Sequence, residues 1–332
     1  MIETLISGKK VLFISTKNKD YIRNTQEINM IQENAVYSQV IAYSDKSYLK
    51  RVLKVWFRTF CCLFSLKKYD IIFVGFAPQL IFFLFPFFKR KKIVIDFFIS
   101  MYDTLVDDRK KIPAHSILAK WVHHIDRYVL MKAEVIIVDT YADKDYFFKE
   151  FDLPELKNME VLYLKPDISI YNPALYPARG KDNFFYVLYF GSILPLQGVD
   201  IILEAIEMME VYDRIKFIII GPVHTAQDKS GYKNAVFYQW LKQEELAEQI
   251  SKADLCLAGH FNGHIGKAKR TIAGKTYIYK AMGKPVILGE CPANRELFYE
   301  DGKTNFYVEM GNAIALKEKI LEVKEIIAHE NG

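Results

Sequence analysis

The sequence predicts an α/β protein of two doubly wound domains, each a parallel sheet covered by helices. Three observations carry this reading. Apolar, β-branched runs alternate with helix-length segments along nearly the whole chain, as expected of strand–helix–strand crossovers. The rhythm breaks once, at PDISIYNPALYPARGKDN (166–183), where Pro166, Pro173, Pro177 and Gly180 interrupt any apolar period and mark a linker. The length, 332 residues, exceeds one comfortable core and suits two.

In the first half, KKVLFIS (9–15), YSQVIAYS (37–44), YDIIFVG (69–75), KKIVIDF (91–97), AEVIIVD (133–139) and MEVLYL (159–164) read as strands. Helix-length segments lie between them near 19–34, 47–66, 78–88, 113–132 and 141–151. The strands are nearly all apolar, as expected when helices cover both faces of a sheet. After the linker the strands are FFYVLYFG (184–191), RIKFIIIG (214–221), NAVFYQW (234–240), ADLCLAG (253–259), KPVILGE (284–290) and TNFYVE (304–309). Helices are expected from about Val199, over 242–252, 274–283 and 293–300, and from about Asn312. The domains are therefore 1–170 and 183–332, with the last helix expected to reach back to the N-terminal domain. Two such domains facing each other would enclose a cleft at the carboxyl ends of their strands.

Composition narrows the class. With 51% apolar and 26% charged residues the chain carries no disorder signature. Cys61, Cys62, Cys256 and Cys291 show no disulfide-like or CxxC spacing, so a reduced, cytoplasmic setting is expected. The opening MIETLISGKKVLFIS lacks the pattern of a secretory leader, and no stretch approaches 18 uninterrupted apolar residues. Charge is unevenly placed. Residues 46–92 hold eleven Lys and Arg against one acid, Asp70, a local +10 that leaves −5 for the rest of a chain whose total is +5. Within it, SYLKRVLKVWFRTFCCLFSLKK (47–68) sets Trp56, Phe57, Phe60 and Phe64 among six cations, and LIFFLFPFFKRKK (80–92) runs directly into four more. Such segments can simply cover a sheet. Aromatics beside unbroken positive charge are also what a helix lying in an anionic membrane interface needs, and we expect contact through 47–68 and 80–92. Nucleic acid is not an expected partner.

The most informative block is KTYIYKAMGKPVILGECPANRELFYEDGKTNFYVEMGNAIALKEKI (275–320). A helix ends at Gly283, Lys284–Pro285 turn the chain into a buried strand, and Gly289 and Pro292 let the backbone pass close to a ligand. Together with YFGSILPLQGVDIILEAI (189–206), FIIIGP (217–222) and LKQEELAEQISKADLCL (241–257), this block resembles the donor-binding half of the GT-B glycosyltransferases. Order and spacing agree over nearly all of 184–320. IDFFISMYDTLVDDRK (95–110) and VIIVDTYADKDYF (135–147) more loosely resemble the acceptor side of a bacterial subgroup that assembles surface polysaccharides.

The resemblance implies two Rossmann-like domains, a nucleotide-sugar donor on the C-terminal domain, no metal or other cofactor, and transfer with retention supported by the donor's own phosphate. It puts a phosphate loop at Gly191–Ser192 and Gln197–Gly198, where a helix N-terminus would face the ligand. The family's Arg and Lys in that loop are here Ser192 and Gln197. Substitute cations stand in GHFNGHIGKAKRTIAGK (259–275), which offers Lys267, Arg270 and Lys275 as a diphosphate clamp; the plain alternative is a solvated basic loop. The family's two Glu, eight residues apart, are here Arg270 and Ile278, so Glu290 or Glu296 becomes the candidate to hold the ribose.

On the acceptor side, Asp103, one turn from Ser100, is the candidate to orient or deprotonate the acceptor hydroxyl, with Thr140 nearby; a loop-capping Asp is the equal alternative. His264 and His224 read as polar cleft residues, and neither His260–His264 nor His123–His124 has an evident third metal ligand. The expectation is a glycosyltransferase acting on a lipid-linked or cell-surface glycan at the inner face of the membrane. Its rivals are a non-catalytic GT-B-like subunit and a sugar-nucleotide epimerase of similar architecture.

Overall fold

The computed structural model describes residues 2–177, 179–180, 182–222 and 232–330. The chain divides into two compact units, Met1–Lys165 and Pro166–Gly332.

The first unit holds six strands: β1 (Lys10–Ser15), β2 (Tyr37–Ile41), β3 (Ile71–Gly75), β4 (Lys92–Asp96), β5 (Val135–Val138) and β6 (Asn158–Val161). They form one parallel sheet in the order β2-β1-β3-β4-β5-β6. Its helices are α1 (Ile2–Ile6), α2 (Ile22–Asn34), α3 (Tyr48–Cys62), α4 (Ile117–Lys132) and α5 (Tyr141–Glu150). The apolar strand runs have their reason in the two faces. Leu12, Ile14, Ile72 and Val74 pack into the core on one side, while Val11, Phe13, Ile71 and Phe73 pack on the other, because successive side chains point to opposite faces.

Three local features depart from the expected pattern. α1 was not anticipated; its five residues are held by the burial of Ile2 and Ile6. The 78–88 segment is a tight 3-10 helix with a break at Ile81, and Pro86 inside it removes a backbone donor. Residues Asp103–Asp108 form a single wide π-helical turn.

The second unit has strands β7 (Phe185–Phe190), β8 (Ile215–Ile220), β9 (Ala235–Tyr238), β10 (Leu255–Leu257), β11 (Val286–Gly289) and β12 (Asn305–Val308). They are again all parallel, in the order β12-β11-β10-β7-β8-β9. Helices α6 (Val199–Glu207), α7 (Gln243–Lys252), α8 (Gly266–Arg270), α9 (Gly274–Ala281), α10 (Pro292–Leu297) and α11 (Ala313–Glu330) complete it. α11 packs on α6 and β12 of its own unit. The proline-rich segment is likewise tied down here: Arg179 bonds both oxygens of Asp254 at 2.8 and 3.2 Å and lies 4.3 Å over the Tyr186 ring.

Each sheet has one pair of neighbouring strands whose following connections leave in opposite directions, β1/β3 in the first unit and β7/β10 in the second. Beyond the carboxyl ends of such a pair the backbone opens, which makes it the default ligand position in an open parallel sheet. Under the first of these points sits a buried ion group. Arg23, on α2, reaches both oxygens of Asp96 at the end of β4 (3.1 and 3.2 Å), bonds the Leu162 carbonyl, and lies 3.7 Å from Glu27. Burial and the neighbouring Asp96 push the Glu27 carboxyl well above its ordinary range. Removing Arg23 leaves uncompensated buried acids, so Arg23→Met should cost about 3–5 kcal/mol in chemical denaturation. A loss under about 1 kcal/mol would mean that this group does not hold α2 to the sheet.

Candidate functional site

The loop after β7 runs Gly191–Ser192 and, through a short turn at Pro195–Gln197, into α6. Gly198 caps that helix in the left-handed conformation (φ 64°). A Cβ there would meet Phe261 and Asn262 at 2.8–3.0 Å, so glycine is needed for both reasons. Into this loop points Lys275, the second residue of α9. Its ammonium bonds Gln197 Oε1, which also accepts from the Tyr189 hydroxyl at 3.4 Å, and stands 4.9 Å from the Tyr189 ring centroid. α9 is fastened at this depth by Tyr279, whose buried hydroxyl accepts from the Phe190 N–H at 3.2 Å. Gly259, after β10, completes the enclosure: a Cβ on it would lie 2.5 Å from Gln197 Oε1 and 3.0 Å from Lys275 Nζ.

Lys275 is 7% exposed and, among the described residues, meets no carboxylate. Burial alone pulls its ammonium down from its ordinary value near 10.5 to about 7. Next to it, burial and the charges of Lys275 and Lys267 hold His260 down at about 3, and its Nδ1 bonds the Thr271 carbonyl (3.1 Å). His260 is therefore a neutral wall of the site. The place has the electrostatics of an anion site at the β7/β10 switch point, with the N-termini of α6 and α9 beside it.

The other expected donor residues stand on α8, after β11 and on α10. The 259–275 segment is not a flexible loop: α8 forms inside it because Ala268 is buried against Leu196 and Ile265. Lys267 and Arg270 are part-buried on that helix, and the Arg270 guanidinium lies over Gly266. A second cavity, about 510 Å³, opens at the ends of β11 and β12, lined by His264, Lys269, Glu290, Tyr307, Glu309 and Met310 among others. Glu290 is there, but its carboxylate is engaged by Arg295, with Nε 2.8 Å from Oε1. Glu296 is part-buried on α10, and Ile278 is part-buried on α9. His224 lies outside the described residues.

In the first unit, Ser100 and Asp103 are buried under their loop. Asp126 gathers this loop, accepting from Ser100 Oγ (2.7 Å), Tyr102 N (2.8 Å), Met101 N (3.3 Å) and Gln79 Nε2 (2.6 Å), and burial lifts its carboxyl to about 6. Asp103 is 2% exposed, with its backbone N–H on Ser100 Oγ at 3.0 Å. Thr140 caps α5 by accepting from Asp143 N. Sequence reasoning missed Tyr189, Gly259 and Asp126. Gly259 and Tyr189 flank strand ends of the switch point, a signal readable only with the strand order known.

Residues 185–325 match the family model described as "Glycosyl transferases group 1". The match falls within the second unit and runs from β7 into α11. No curated protein matches the chain. Among solved structures, the sucrose-phosphate synthase of Thermosynechococcus elongatus superposes with a TM-score of 0.65 at 13% identity, covering 96% of this chain and 89% of that one. The Anabaena HepE protein, solved with UDP, gives 0.64 at 16%, covering 96% and 90%. The lipopolysaccharide outer core galactosyltransferase WaaB gives 0.55 at 12%, covering 96% and 91%. These similarities establish a GT-B fold for the chain. Lys275 lies within the matched stretch, beside the loop that carries Ser192 and Gln197. Among the described residues no cluster of three His, Cys, Asp or Glu is placed to hold a metal ion.

The unfolded chain holds Lys275 protonated up to about 10.4 while the folded one releases the proton near 7, so between these values the unfolded state binds more protons. The penalty is complete below pH 7 and fades as pH rises. Lys275→Met should therefore stabilise the protein by about 1–3 kcal/mol at pH 6.5, the range for an undercompensated polar group, and the gain should vanish toward pH 10. Thermal denaturation of both proteins across this range checks it; a gain independent of pH would contradict the buried, unpaired charge.

Proposed function

We propose that the chain is a glycosyltransferase that moves a sugar from a nucleotide-sugar donor onto a glycan acceptor carried at an anionic membrane surface. The observation that carries the reading is Lys275, a cation buried at the β7/β10 switch point with no carboxylate among the described residues to neutralise it. A donor diphosphate would supply the missing charge and raise the lysine's pKa on binding. Gln197 orients the ammonium from the position where related loops carry a cation, so the positive charge reaches the phosphate from α9 instead. The donor phosphate would then assist departure of the sugar with retention, and no covalent nucleophile from the protein enters this scheme. The cavity at the ends of β11 and β12 is the proposed place for the rest of the donor, with Glu290 or Glu296 toward the ribose. The free cysteines fit action from the cytoplasmic side.

A non-catalytic GT-B-like subunit is the second reading, favoured by Ile278 and Arg270 standing where the resemblance leads one to look for Glu. The two separate on donor affinity. Because the Anabaena neighbour was solved with UDP, UDP is the first probe, with GDP and dTDP beside it in thermal-shift titrations. Lys275→Ala removes a charged hydrogen bond worth about 1.5–3 kcal/mol, roughly a 10- to 150-fold loss in affinity. Wild type that binds none of the three nucleotides would leave only the non-catalytic reading standing.

Membrane contact rests on what α3 and its neighbours leave uncovered. Leu49, Leu53, Phe57, Phe60 and Phe64 form one stripe at helical spacing, with Phe57 72% and Phe64 88% exposed, among exposed Lys50, Lys54 and Arg58. Phe83 and Phe87 of the 78–88 segment and Ile117, Leu118 and Trp121 of α4 are also exposed, and ring contacts of 5.2–6.4 Å from Trp56 through Phe83 and Phe82 to Trp121 join these elements. Trp56 itself is not a membrane residue: it faces inward and donates to the Leu80 carbonyl at 2.9 Å. No helix among the described residues is long and apolar enough to cross a membrane, so the contact would be peripheral. Each inserted Phe contributes up to about 1.5–3 kcal/mol, and each nearby cation about 1 kcal/mol, screened by salt. In flotation assays Phe57→Ser with Phe60→Ser should weaken binding to anionic vesicles at any salt, and Gln at positions 89–92 only at low salt. Wild type that stays soluble with anionic vesicles at low salt would remove the membrane from this proposal.

A further inference from the structure

The first unit carries its own group of unneutralised cations at its switch point, and nothing in the donor reading uses it. Lys17 follows β1 directly. Its Nζ lies 4.6 Å from the Tyr21 ring centroid and 4.8 Å from that of Phe76. Arg51, buried, donates through Nε to the Thr16 carbonyl (2.9 Å) and through Nη1 to the Asp45 carbonyl (2.7 Å), which sets its guanidinium beside Lys17. Arg109 adds a third charge from the far loop: both arginines repel the Lys17 proton, and burial acts in the same direction. Among the described residues none of the three forms an ion pair. Arg23, a few residues away, shows what this chain does with a cation meant only for structure: it surrounds it with Asp96 and Glu27.

The surroundings are built rather than loose. Asn24 bonds the carbonyls of Lys17 and Asn18 at 3.4 and 2.8 Å, and Ser15 Oγ at 3.1 Å, so the turn that presents Lys17 is fixed. Phe76 stacks on Phe98 at 5.6 Å, and Tyr21 meets both rings edge-on at 5.3 and 6.2 Å. Phe76 and Ala77, just past β3, hold φ of 41° and 20°, a strained backbone for residues other than glycine and one that tends to collect at functional sites. An aromatic rim lowers the local dielectric and strengthens any charge pairing inside it. Aromatic faces also pack well against the C–H faces of sugar rings.

We propose that the carboxyl end of β1 and β3 is the acceptor subsite and that it selects a sugar bearing an acid group, a carboxylate or a phosphate, held by Lys17 with Arg51 and Arg109 behind it. This rests on the glycosyltransferase reading for the word acceptor, and its test is kept separate from that reading. The full chain is titrated with glucuronic acid, glucose 6-phosphate, glucose and inorganic phosphate, following Tyr and Phe signals by NMR, with UDP titrated in parallel. At least one acid sugar should bind tenfold or more tighter than glucose and tighter than inorganic phosphate, and which one does tells a carboxylate acceptor from a phosphate one. Lys17→Met should erase that preference, Lys17→Arg should keep most of it, and UDP affinity should be the same in all three proteins. If glucose binds as well as both acids, if inorganic phosphate matches them, or if Lys17→Met changes nothing while UDP still binds, the subsite is wrong and the donor reading survives. If UDP, GDP and dTDP all fail to bind wild type, the donor reading falls whatever the acids do.

Discussion

Because every strand runs parallel to its neighbours, each connection in this chain has to cross a face of its sheet before the next strand can begin. The helices that make these crossings bury both faces, which is why most strand positions are apolar. The same constraint sends all loops of one kind to the carboxyl ends and leaves one gap per sheet where the connections diverge. Lys275 and Lys17 stand at those two gaps. Neither position was chosen by local propensity; each is where a parallel sheet leaves backbone amides and space unclaimed.

The treatment of buried charge divides structure from chemistry here. Arg23 is wholly buried and wholly paired, and its partners reach from α2 to β4 and to the chain after β6, so it ties three elements together. Lys275 is almost as deeply buried and, among the described residues, has only an amide oxygen and a ring face as partners. A folded chain tolerates such a group at a cost in stability, and a bound anion is the natural means of relieving it. The lowered pKa of Lys275 is a sign of that unmet need and places its proton release close to neutral pH, where binding of a diphosphate would be accompanied by proton uptake.

The aromatic content acquires a similar division. Phe85, Phe88, Phe97 and Phe151 fill the core of the first unit, whereas Phe57, Phe60, Phe64 and Phe87 face outward beside lysines and arginines. Exposed apolar area of this extent is unusual on a surface that meets only water. The outward stripe on α3 and the inward one share a helix because the spacing of Val52, Val55 and Thr59 leaves the opposite side free for Leu53, Phe57 and Phe60.

By itself the sequence determined the class of fold, the number of strands and their succession along the chain, the break between units and the resemblance of 275–320 to a donor-binding half, because periodicity, glycine–proline punctuation and chain order are local properties. It also exposed the +10 segment and brought Lys275 forward. Tertiary structure alone decided which cations converge. Lys267, Arg270 and Lys275 are neighbours in sequence, yet α8 turns Arg270 over Gly266 while α9 drives Lys275 between β7 and β10, and a short helix inside a glycine-rich stretch depends on the burial of Ala268 rather than on propensity. Asp126, which gathers the Ser100 loop from 26 residues away, was likewise invisible in the sequence. Lys17 follows β1, Arg51 stands on α3 and Arg109 follows the π-helical turn, and no spacing in the chain announces their meeting. Such long-range convergence is set by the strand order β2-β1-β3, which a one-dimensional pattern of parallel crossovers does not specify.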